Sequence, residues 1–108
     1  MTEVTKVKRG DVGVIFADTL TEDDEAVNLT GATVTFILRL RGGTVPVTGT
    51  ATIVDATGGT VSYATVAGNL DVAGLYNQEW EVTYGNGDKF TYPSDTWNPV
   101  RIVGDLNP

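Results

Sequence analysis

The sequence predicts an all-β sandwich, on three observations. Fifteen Val and seventeen Thr among 108 residues favour extended backbone, because β-branched side chains are stiff at χ1 and pack well on a pleated sheet. Apolar and polar residues alternate with a period of two in the clearest segments, the pattern of strands buried on one side only. Thirteen Gly, several paired or next to Asn, separate those segments with tight-turn chemistry. At 41% hydrophobic residues the chain has material for one core and no room for a second, so residues 1–108 read as a single domain.

Taken in order, residues 4–8 and 12–20 form an opening β segment interrupted at Gly10-Asp11. The acidic run Glu22-Asp23-Asp24-Glu25 lies between this segment and an extended stretch over 27–36. Val34, Phe36, Leu38 and Leu40 then line one face, while Thr33, Thr35, Arg39 and Arg41 line the other, with Ile37 as the exception. Gly42-Gly43 makes a hairpin turn, residues 45–53 return as one strand, and residues 55–59 turn the chain into 60–66. The clearest alternation sets Tyr76, Trp80, Val82 and Tyr84 on one side, broken by Gln78, against Leu75, Asn77, Glu79, Glu81 and Thr83 on the other. Asn86-Gly87 is a strong hairpin signal leading into residues 89–92, and residues 98–103 make the last strand after Pro93.

No window shows helical periodicity, so helix content is expected near zero, with a single turn allowed at 70–72. Seven to eight short antiparallel strands with turn signals about every 8 to 12 residues describe an immunoglobulin-like β-sandwich. With no Cys it is not of the antibody type. Phe36, Leu38, Tyr76, Trp80 and Val82 are the expected core.

Composition closes several function classes. Fourteen acidic against seven basic residues give a net charge of −7, which repels a phosphate backbone and argues against nucleic acid as a partner. No apolar run approaches the roughly 20 residues of a membrane helix, and the N-terminus has no signal-peptide core; synthesis in a cytosol and no membrane partner are expected. Zero Cys and zero His remove thiolate chemistry, the commonest general base and the commonest transition-metal ligand.

The remaining constellations have structural readings as well as chemical ones. Glu22 to Glu25 offer oxygen ligands for a hard cation but lack the alternate-residue ligand spacing of a calcium loop, and read as a solvated hairpin tip with no metal. Glu79 and Glu81 share one strand face roughly 7 Å apart, where paired carboxylates suggest glycoside hydrolysis; a polar face that meets a partner subunit is the simpler reading. Ser62 and Ser94 have no His to activate them. The Gly-rich stretches are turns, since no helix follows to cradle a phosphate. No catalytic residue, cofactor or small-molecule substrate is expected, and the chain is not read as an enzyme. Tyr92 and Trp97, near Pro93 and Pro99, make a possible aromatic platform for a sugar ring, which defines the alternative of a carbohydrate-binding or adhesion module. Lys6, Lys8 and Arg9 crowd the N-terminus with a sign opposite to the rest of the chain and suit docking on an acidic neighbour.

The order of these signals resembles the N-terminal domain of the phage baseplate upper protein family and small immunoglobulin-like virion proteins of tailed phages. The resemblance rests on Lys8-Arg9-Gly10-Asp11, Phe16-Ala17-Asp18-Thr19-Leu20, the acidic tip, the run from Val27 to Phe36, Gly74-Leu75-Tyr76-Asn77-Gln78-Glu79-Trp80-Glu81-Val82, and Phe90-Thr91-Tyr92-Pro93 with Trp97. It spans roughly Val7 to Val103. The resemblance implies a non-enzymatic virion structural protein, an assembly, docking or decoration module of the tail, baseplate, neck or capsid, made in the host cytoplasm. Its implied partners are other virion proteins and copies of itself. In that family a C-terminal extension carries receptor-binding parts; this chain ends at Pro108, so the docking module without that arm is expected. The residues expected to face partners are Lys6, Lys8 and Arg9, with Glu79 and Glu81 as a second patch.

Overall fold

The computed structural model describes residues 5–93 and 98–104. Among them every regular element is a strand: β1 (Thr5–Lys8), β2 (Ile15–Thr19), β3 (Thr21–Glu22), β4 (Glu25–Ala26), β5 (Thr33–Leu40), β6 (Val47–Thr50), β7 (Thr52–Asp55), β8 (Thr60–Ala64), β9 (Gly74–Thr83), β10 (Lys89–Tyr92) and β11 (Asn98–Val103). The all-β fold is as expected, in finer pieces than seven or eight strands. No helix among the described residues is long and apolar enough to cross a membrane.

A six-stranded sheet runs β1-β11-β9-β5-β6, with β10 also pairing β9. Its centre is β9, which alternates between half-buried and buried residues from Leu75 to its end at Thr83. On one side β9 pairs with all of β5, from Thr33 opposite Thr83 to Leu40 opposite Tyr76. On the other side β11 takes the first half, with Val100 opposite Tyr76, and β10 takes the second, with Tyr92 opposite Trp80. One pair departs from the antiparallel expectation: β1 runs parallel to β11. A three-stranded sheet, β2-β8-β7, faces the large one, and β3 and β4 form a separate hairpin.

Aromatic rings join the two layers. Phe36 of the large sheet stacks on Tyr63 and Phe16 of the small one, with ring centroids 4.6 and 5.2 Å apart, and meets Trp80 edge to face at 5.0 Å. Offset and edge-on contacts of this kind add to the area the rings bury. All five expected core residues, Phe36, Leu38, Tyr76, Trp80 and Val82, are buried.

Three strand boundaries differ from the periodicity, each for a local reason. The expected strand over 27–36 begins only at Thr33. Before it, the Asn28 carboxamide oxygen accepts from the Thr30 amide at 3.0 Å and from its hydroxyl at 2.7 Å, Gly31 takes φ +77°, and Val27 and Leu29 are buried by a loop. The single strand expected over 45–53 is two strands in different sheets. Buried Ala51 sits at the crossing, its amide donating to the Val34 carbonyl at 2.8 Å. The strand expected from residue 12 begins at Ile15. Buried Thr65 intervenes, its hydroxyl accepting from the Val14 amide at 3.0 Å.

Candidate docking surfaces

Strand alternation in β9 places Asn77, Glu79 and Glu81 on the face opposite Trp80, away from the core. Register carries this outer face across the sheet. Ile37 lies opposite Glu79 and Thr35 opposite Glu81 on β5, Thr91 opposite Glu81 on β10, Arg101 opposite Leu75 on β11, and Lys6 opposite Arg101 on β1. Lys6 and Lys8 therefore share a sheet face with Glu79 and Glu81, two patches the sequence keeps apart. Arg9 follows β1 directly, its amide donating to the Val103 carbonyl at 2.8 Å.

Two arginines that strand periodicity points outward complete this surface. Arg39 lies opposite Asn77 and its Nε donates to the Gly43 carbonyl at 3.1 Å. Arg41 Nε donates to Asn77 Oδ1 at 3.1 Å. Both acceptors are neutral, so neither bond cancels the charge of its guanidinium. A shallow groove of about 600 Å³ opens among Arg39, Arg41, Asn77 and Glu79. With Lys89 opposite Thr83, the outer face holds six of the seven cations of the chain, against the two carboxylates of β9. A chain of net charge −7 thus presents one mostly basic face.

The acidic side chains collect elsewhere. β3 and β4 pair Glu22 directly opposite Glu25, across a turn in which Asp23 and Asp24 take φ +52° and +65°. All six residues from Thr21 to Ala26 are exposed. Beside the hairpin lies a groove of about 420 Å³ walled by Glu22, Asp23, Glu25, Tyr84 and Phe90. The Tyr84 and Phe90 rings meet edge to face at 6.1 Å, Tyr84 donates to the Asn28 carbonyl at 2.9 Å, and Phe90 is 47% exposed. Tyr92 forms the floor. It is only 4% exposed, which leaves no ring face open for a sugar, and its hydroxyl donates to Glu22 Oε2 at a long 3.3 Å. Burial first, then the adjacent Glu22 carboxylate, raise its pKa above the ordinary tyrosine value. Trp97, the other half of the expected platform, lies outside the described residues, as does Ser94. Among the described residues no three of His, Cys, Asp or Glu gather closely enough to hold a metal ion.

Beyond the order of strands and turns, comparison with known families decides the kinship. The family described as the BppU N-terminal domain matches residues 3–93. The chain belongs to that family. A comparison with curated proteins gives no match. As a BppU N-terminal domain, the chain is a structural domain of a phage baseplate or tail, hence a virion component that meets other virion proteins. The match includes β1 through β10 and both sequence-predicted patches, and ends before β11, the strand that ties β1 to β9. Arg101 escaped the sequence reading of the docking surface because only the pairing of β11 with β1 sets it beside Lys6. Phe90, opposite buried Val82 yet exposed, escaped it because its exposure depends on what the sheet edge leaves uncovered.

Proposed function

We propose that this BppU N-terminal domain is a non-enzymatic assembly module that docks on other virion proteins and on copies of itself through the outer face of its six-stranded sheet. One observation carries the reading: no described strand packs over that face, and six cations, two glutamates and a row of threonines share it. Lys6 and Lys8 provide its basic edge, with Arg9 following at the end of β1, and Glu79 and Glu81 its acidic centre. Such a mixed surface suits recognition by charge complementarity, which steers encounter and rejects wrong partners more than it adds raw affinity. Glu79 and Glu81 stand side by side on an open strand face, flanked by Ile37 and Thr35. Carboxylates that cleave a glycoside flank the bond in a cleft, so this placement supports docking over hydrolysis.

Quantitative mass spectrometry of purified particles tests the reading. The chain is expected at a fixed copy number that is a whole multiple of the symmetry order of its part of the particle. Its absence from particles would overturn the proposal.

A further inference from the structure

Two groups of described charge lie at different ends of the molecule, which measures 44 × 28 × 24 Å, although Asp11, beside Lys6 and Lys8, and Asp71, just before β9, put two carboxylates at the basic end. Register fixes which end each belongs to. Arg39 and Arg41 lie by the start of β9, since the Arg41 amide donates to the Leu75 carbonyl at 3.0 Å, and Arg101 and Lys6 continue the same row on β11 and β1. The β3–β4 hairpin lies at the other end, where Tyr84, just past β9, reaches the Asn28 carbonyl. Asp55, the last residue of β7, and Asp88, in the turn after β9, belong to that end too.

The hairpin is built against local preference. Like charges directly opposite across a strand pair destabilise it, yet Glu22 faces Glu25. Asp23 and Asp24 both take left-handed backbone, which glycine adopts most easily and Asp more readily than most residues with a Cβ. The result is four carboxylates on a fully exposed six-residue projection, whose natural counterpart is a basic concavity. The groove between Arg39 and Arg41 at the far end of the same chain is net basic, two guanidinium groups held by neutral acceptors beside the single carboxylate of Glu79.

We infer that the partner of the basic end of the outer sheet face is a second copy of this chain, whose acidic hairpin, Thr21 to Ala26, seats against Arg39 and Arg41. The contact is heterologous, joining the tail of one copy to the head of the next, so repetition gives a ring where the rotation closes. The inference rests on the assembly reading and names its partner and polarity.

The test uses the purified full chain in sedimentation velocity at about 0.05 M and about 0.5 M salt, since exposed charge pairs weaken as the screening length shrinks. Self-association is expected at the lower salt and loss of it at the higher. R39E/R41E is expected to raise the dissociation constant about tenfold or more, as is D23N/D24N/E25K, in which Asn keeps the left-handed turn. Mixing the two variants is expected to restore association, because the intact acidic hairpin of one meets the intact Arg39–Arg41 groove of the other. R39K/R41K, with charge retained, should stay within about threefold of the parent, and circular dichroism confirms that each variant is folded. A parent chain monomeric at both salts, or charge variants that associate like the parent, would overturn the head-to-tail contact. The assembly reading fails by a separate result, absence of the chain from purified particles, so the two failures are distinguishable.

Discussion

Trp80 shows what single side chains contribute. It is fully buried, packs edge-on against Phe36, and its indole N–H has no hydrogen-bond partner. Trp80→Ala should lower stability by about 3–5 kcal/mol, read as a shift of the urea midpoint at constant slope. Gly49 is the converse case, a residue required by what it lacks. A Cβ there would lie 2.3 Å from Tyr63 Cε1, and that ring cannot swing away because it is stacked on Phe36. Gly49→Ala should therefore cost about 1–3 kcal/mol through overpacking, visible as a lower thermal midpoint. Tyr92 adds a dependence on pH. Its pKa is raised above the ordinary 10.0, as is that of Tyr76. Below pH of about 10 folded and unfolded chains both keep the proton and stability does not change on this account; above it the unfolded chain releases the proton while the folded chain retains it, so stability falls as pH rises. Tyr92→Phe should flatten part of that alkaline decline in urea titrations between about pH 8 and 11.

At the scale of elements, what was legible in the sequence followed from strictness of alternation. In β5 and β9 every core position from Val34 to Leu38 and from Tyr76 to Val82 faces inward, Gln78 included, and the Asn86-Gly87 turn joins β9 to β10 with Gly87 at φ +95°. Residues 45–53 were not legible, because their Val, Thr and Gly alternate equally well on either sheet and nothing local marks Ala51 as the crossing. The parallel pairing of β1 with β11 was equally hidden, since it joins the two ends of the chain through no turn at all. The same limit applied to the candidate site: Lys6, Lys8, Arg39, Arg41 and Glu79 could each be assigned outward, but their common face depends on pairing. Thr65 shows how a loop is fixed between elements. Thr65→Val would leave the Val14 amide without its acceptor, at a cost of about 1–3 kcal/mol, and the Val14 amide should lose protection from hydrogen exchange.

At the scale of the molecule, an acidic chain has placed almost all of its positive charge on one side of one sheet. Net charge alone suggests a protein that repels anionic partners; the distribution gives it a face that attracts them, with four carboxylates gathered on the β3–β4 hairpin at the opposite end. Long-range steering of this kind speeds association and selects orientation, which suits a module that must join a particle in one way only. All three lysines of the chain, Lys6, Lys8 and Lys89, lie on that face, and this makes the docking surface directly measurable. Amine-reactive labelling of the free chain and of the chain within purified particles, read by peptide mass spectrometry, should show all three lysines reactive when free and protected after assembly. Equal reactivity of all three in both states would contradict docking through the outer sheet face.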